Sequence, residues 1–92
     1  MTELRRAVYL LPYEAEAHLL MGRIQSRAGR PQDAIDALKI SVWSQETAAA
    51  RIALAEAYVS MKNNAAARTE LERALVLEPG SVLAKQILSS LR

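Results

Sequence analysis

The chain carries two similar nine-residue phrases, one near each of its ends. LRRAVYLLP (Leu4 to Pro12) and LERALVLEP (Leu71 to Pro79) agree at their leucines, alanine and proline. A degenerate copy, LKISVWSQE, begins at Leu38, almost midway between Leu4 and Leu71. The phrase therefore returns at a nearly constant interval of roughly 34 residues, within the range of helical-repeat arrays. A phrase that returns in this way describes a stack of similar units. Such units cannot bury their apolar faces alone, so each must pack on its neighbour.

The units read as helices. Alanine, leucine, arginine and glutamate dominate, and all are good helix formers. Glycines and prolines are few and sit as punctuation at Pro12, Gly29-Arg30-Pro31 and Pro79-Gly80. No stretch alternates apolar and polar residues as a strand requires. The pattern predicts helices over 2–11, 13–28, 31–44, 46–62, 64–77 and 81–91. Pro31 suits a first helical position, where its missing N–H costs nothing. Asn63 or Asn64 suits the N-cap of the fifth segment, and Ser81 that of the last. The links are short, so sequential helices form antiparallel hairpins. The segment 31–44 places Ala34, Ile35, Leu38, Ser41 and Val42 on one face, with Gln32, Asp33, Asp36 and Lys39 opposite. The segment 13–28 places Ala17, Met21, Ile24 and Ala28 together. Gly22 and Ala34 are small enough to let two backbones approach closely.

Several function classes find no support. Without cysteine there is no disulfide, thiolate or cysteine-based zinc chemistry. A lone histidine, His18, makes no metal cluster and has no nucleophile at a usable spacing, so it reads as a packing residue. Asp33 and Asp36 read as a solvated face, and Glu14 and Glu16 as complements to a helix N-terminus. Gly22 and Gly29 are isolated rather than part of a phosphate loop. The expectation is a non-enzyme with no cofactor and no metal. The net charge is only +2. Arg5, Arg6, Arg23, Arg27 and Arg30 bias the first half to positive, yet aromatics are not interleaved with them, so nucleic acid is not the expected partner. No apolar run approaches the roughly 18 residues of a membrane span. The N-terminal stretch lacks a cleavage site, so a soluble, cytoplasmic setting is favoured.

The order of residues resembles the tetratricopeptide repeat family. That pattern has a bulky residue, leucine-glycine and tyrosine on a first helix, then alanine, a large apolar residue, alanine and proline on a second. This chain gives His18, Met21-Gly22, Gln25, Ala34, Leu38 and Ser41, then Arg51, Leu54-Ala55, Tyr58, Ala67, Leu71, Ala74 and Pro79. The departures are His18 and Arg51 at the bulky place, Lys62 where glycine is usual, and a shortened turn after Trp43. The resemblance covers nearly the whole chain and implies an all-α solenoid of stacked antiparallel helix hairpins, about two and a half repeats. The units are 1–14, the second helix of a partial repeat; 15–47 and 48–81, two repeats; and 82–92, a closing helix. A half-repeat at the start needs cover for Leu4, Val8 and Leu11. Either the chain is part of a longer array or another molecule supplies that cover.

The resemblance also implies a non-catalytic scaffold whose first helices line a concave groove for a peptide or amphipathic helix of a protein partner. The groove positions are Glu16, Leu19, Leu20, Arg23 and Arg27 in the first unit. Ala49, Ile52, Ala53, Glu56, Val59 and Ser60 follow in the second, then Leu83, Gln86 and Ile87 on the closing helix. Against this stands a plainer reading, in which Leu19, Ile52 and Leu83 pack between first helices and Arg23 pairs with Glu56. Self-assembly through the ends of the stack, as a dimer or an array, is the alternative function. Tyr9, Trp43 and Val76 occupy one equivalent place and are all apolar, which suggests an outer contact. Trp43 is expected to pack at the seam with the next hairpin, with a partner contact as the alternative.

Overall fold

The computed structural model describes the backbone of residues 2–91 and the side chains of residues 14–91. Five α-helices follow one another: α1 (Thr2–Arg27), α2 (Pro31–Ser44), α3 (Ala48–Ser60), α4 (Asn64–Leu77) and α5 (Val82–Ser90). No strand occurs among the described residues. Each helix packs on the next, and α1 also touches α3.

The expected helices 2–11 and 13–28 are a single helix, α1, with Pro12 inside it. A proline within a helix forfeits one N–H donor and crowds the carbonyl four residues back, at a cost of about 3 kcal/mol. Continuity keeps the remaining i→i−4 bonds on both sides, among strong helix formers such as Ala7, Leu10, Leu11 and Ala15. Leu4, Val8, Leu11 and Tyr9 lie outside the residues whose side chains are described.

The helix ends follow local chemistry. Pro31 opens α2 at its first turn. Asn63, rather than Asn64, caps α4 by accepting from Ala66 N–H at 3.2 Å. Ser81 caps α5 through Ala84 N–H at 3.2 Å. Thr47 caps α3 through Ala50 N–H at 3.1 Å, so α3 starts two residues later than expected.

The sequence repeat returns as a repeat of hydrogen bonds. In the α1–α2 turn, Gly29 N–H donates to Ser26 O and Arg30 N–H to Gln25 O. In the α3–α4 turn the same two bonds recur at the equivalent places: Lys62 N–H donates to Val59 O and Asn63 N–H to Tyr58 O. Both turns reverse the chain through a left-handed residue, Gly29 at φ 79° and Lys62 at φ 61°. Such a residue lets the last helical carbonyls find donors before the next helix starts. The later junctions match too: Gln45 N–H donates to Ser41 O and Glu78 N–H to Ala74 O. The α2–α3 link is one residue shorter than the α4–α5 link, which is where the spacing of the two repeats differs.

The core has two parts. Ala34, Ile35 and Leu38 of α2 meet Ala53, Leu54 and Ala57 of α3. Ala67, Leu71 and Ala74 of α4 meet Ile52 and Ala55 of α3, with Ala84 and Leu91 at the C-terminal end. Small residues set the spacing. A methyl built on Gly22 would stand 2.5 Å from Leu38 Cγ, so α1 and α2 approach closely there. Ser41, buried between the same helices, donates to Ala15 O at 2.7 Å and spends its hydroxyl on the α1–α2 contact.

Candidate functional site

Six of the fourteen expected groove residues border clefts between α1 and α3, and a seventh, Ala53, lies in a cleft floor. Toward one end, Glu16, Leu19 and Ala49 border a cleft of about 220 Å³ with Ala15, Ser41, Gln45 and Thr47. Toward the other, Arg23, Arg27 and Glu56 border a cleft of about 170 Å³, floored by Gly22, Leu38 and Ala53. The floor exists because Gly22 has no side chain to fill it. Leu19, in the first cleft, is half-buried and packs against the α2–α3 core. Arg23 and Glu56 share the second cleft without forming an ion pair, and both are exposed.

Other groove positions are placed differently. Ile52 and Ala53 are core residues, at 7% and 6% exposure, and offer almost no surface. Ile52 fills the space between α3, α4 and the C-terminal segment, as the plainer reading of that position expected. Leu20 is exposed, but its repeat equivalent is Ala53, which lies under α2. Leu20 therefore lies beside Met21 and Ile24 and borders neither cleft. Val59 and Ser60 are exposed at the end of α3 and border neither cleft. On α5, Leu83 and Gln86 are exposed and Ile87 packs on the core. These three do not join the α1/α3 clefts.

Trp43 corrects the seam expectation. It is 92% exposed, and its repeat equivalent Val76 is 81% exposed. The shorter α2–α3 link does not draw the indole inward. Trp43 instead stands at the rim of a recess of about 450 Å³ with Lys39, Ile40, Val42, Arg51, Leu54 and Glu70.

Arg51 is the most strongly organised polar group described, and its partners were not evident from the sequence. Its Nη1 donates to Glu70 at 2.7 Å and its Nη2 to Glu46 at 2.7 Å, with Nε also on Glu46 at 3.0 Å. Burial works against the guanidinium charge. Hydrogen bonds and charge attraction from Glu70 and Glu46 outweigh that burial and raise the Arg51 pKa above its ordinary value. Glu70 lies on α4, at no helical spacing from Arg51, so only the hairpin brings them together. The site explains an arginine where the repeat pattern expects a bulky packing residue: the stem packs and the head is neutralised. His18, the equivalent residue in α1, donates from Nδ1 to Glu14 O at 2.8 Å, a bond within its own helix. Among the described residues, no three His, Asp or Glu side chains gather as metal ligands would, and no helix is long and apolar enough to cross a membrane.

Comparison with protein-family models, with curated proteins and with solved structures returns no match.

Proposed function

We propose that the chain is a tetratricopeptide-like stack of helical hairpins that binds a peptide or helix of a protein partner along the α1/α3 face. The observation that carries this reading is the pair of clefts on that face, one of them lined by the half-buried Leu19. The return of the same turn hydrogen bonds in both hairpins supports the solenoid part of the reading. The face has a polarity: Glu16 at one end, Arg23 and Arg27 at the other. A ligand that fits it has small apolar side chains for the two clefts and an acidic residue opposite Arg23 and Arg27. Rigid helices present these groups already ordered, which lowers the cost of binding.

The test is selection of peptides from a displayed random library, followed by NMR mapping of a selected peptide on the labelled chain. Shifts should concentrate on Glu16, Leu19, Arg23, Ala49 and Glu56. Arg23→Glu with Arg27→Glu should weaken binding at least tenfold while helical content stays constant. Shifts confined to other faces, or affinity indifferent to the charge reversal, would refute the groove.

A second reading rests on Trp43 alone. An indole this exposed beside an apolar-floored recess has the make-up of an interface anchor, since tryptophan is enriched among residues that dominate binding energy. The same NMR map decides between the two faces.

A further inference from the structure

Among the described residues, one buried side-chain acceptor has no hydrogen-bond partner: Gln25 Oε1. Folded chains leave few such atoms, so this one calls for a donor. Gln25 borders a cleft of about 240 Å³ between α1 and α2, which shares no residue with the two α1/α3 clefts. The other polar groups of this cleft are acceptors too. His18 donates from Nδ1 to Glu14 O, so its neutral ring offers the cleft only the Nε2 lone pair. Asp33 and Asp36 are exposed and in no ion pair, since the ion pairs among the described residues all belong to Arg51. Gln32 donates to Asp36 Oδ1 at 3.3 Å, which leaves the second oxygen open. Met21, Ala37 and Ile40 supply the apolar part of the wall. His18, Asp33 and Asp36 do not converge as metal ligands would, so a metal ion is not the cation that fits.

The second hairpin shows what this place takes. The equivalent of His18 is Arg51, and the equivalent of Ala37 is Glu70. There the guanidinium lies between the carboxylates of Glu46 and Glu70, at 2.7 Å from each. The first hairpin has carboxylates beside the corresponding place, but histidine where the guanidinium would be.

We propose that the α1/α2 cleft binds an arginine side chain of a partner protein. A guanidinium is planar, carries five N–H donors and accepts nothing, which complements walls that only accept. It can pair with Asp33 and Asp36 on α2 and reach His18 Nε2 on α1, while its stem lies along Met21 and Ile40. Gln25 meets it by rotation of its amide, whose terminal torsion is soft. A lysine ammonium is a point charge with three donors and serves fewer of these acceptors at once. The proposal is independent of the α1/α3 groove, whose Arg23 and Arg27 call for a ligand of opposite charge.

The test is an NMR titration of the isotope-labelled chain with the peptide acetyl-Ala-Ala-Arg-Ala-Ala-amide. Saturable shifts should appear at the backbone amides of Asp33, Asp36 and Ala37 and at the side-chain amide of Gln25. The same peptide with citrulline, which is neutral, should cause none, and the lysine peptide should bind several-fold more weakly. Asp33→Asn/Asp36→Asn should weaken the arginine peptide at least tenfold with unchanged helical content. His18→Arg keeps both carboxylates and supplies the guanidinium that the second hairpin has, so it should also weaken the peptide at least tenfold. Shifts that never saturate, citrulline or lysine peptides that bind equally well, or an affinity indifferent to either variant would overturn the proposal.

Discussion

Gly22 is where the α1–α2 packing can be tested most sharply, because two opposing effects of known size meet there. Glycine inside a helix costs about 0.5–1 kcal/mol relative to alanine, so Gly22→Ala alone should stabilise α1 by that amount. The new Cβ, however, would lie 2.5 Å from both Leu38 Cγ and Leu38 Cδ2, and 3.2 Å from Leu38 Cδ1. Leu38 has no exposed surface, and both its branch point and its methyls are involved, so no simple rotation clears the way. Overpacking of this kind costs about 1–3 kcal/mol. The clash wins, and Gly22→Ala should destabilise by about 0.5–2 kcal/mol net, lowering Tm by about 4–8 °C per kcal/mol for a domain of this size.

The second hairpin supplies an internal control. Ala55 is the equivalent of Gly22, and both it and Leu71 are fully buried, so that hairpin already accommodates the methyl. Ala55→Gly should therefore also destabilise, through lost helix propensity and a lost contact. Thermal and urea unfolding followed by far-ultraviolet circular dichroism measures both variants. Leu38→Ala removes all three clashing atoms, and on that background Gly22→Ala should become stabilising. The coupling between the two substitutions should be about 1–3 kcal/mol. A Gly22→Ala chain with a higher Tm than the parent would show that Leu38 yields easily, and the argument from close approach would fail.

The remaining predictions use the same unfolding assays. Lys62 holds φ 61°, where a side chain costs about 1–2 kcal/mol, so Lys62→Gly should stabilise by about 0.5–1 kcal/mol. Gly29→Ala should lose about 1 kcal/mol for the converse reason, since no atom crowds that position and only the backbone objects. Arg51→Met should cost about 1–3 kcal/mol by leaving Glu70, whose side chain is 15% exposed, without its partner, and Arg51→Met/Glu70→Leu should recover most of that loss. Because the Arg51 pKa is raised in the folded chain, its contribution is complete below the unfolded value and is lost only as pH climbs through strong alkali. The Arg51→Met cost should therefore change little through this group between about pH 6 and 10. Trp43 should emit at a wavelength typical of water and be fully quenched by acrylamide, and Trp43→Ala should change stability by less than about 0.5 kcal/mol.

What was legible in the sequence was whatever depends on residues close along the chain. Pro31, Asn63 and Ser81 announce helix starts because a cap acts within three residues. Lys62 was marked as a departure from glycine by the repeat, and the turn holds it in the left-handed conformation that glycine adopts freely. Pro12 misled for a related reason. A proline carries a local penalty, but the choice between a break and a continuous helix depends on what the preceding segment can pack against, and that is not a local property. The site was less legible still. A helical wheel assigns Leu20 and Arg23 to one side of α1, about 60° apart at their three-residue spacing. The structure uses that angle to turn Leu20 toward the end of the stack and Arg23 toward the cleft.

Trp43 shows why repetition alone misjudges exposure. An apolar residue at the same place in each copy argues for contact only if the architecture offers that place a neighbour. In two copies with described side chains, Trp43 and Val76, the place points outward between helices that are already packed on other faces. Beside Trp43 the recess is lined by Arg51, whose length lets it reach Glu46 and Glu70 at once. Glu46 lies in the α2–α3 link and Glu70 on α4, so the ion-pair network ties the link between the hairpins to the second helix of the second hairpin, at the edge of the recess over which Trp43 stands exposed.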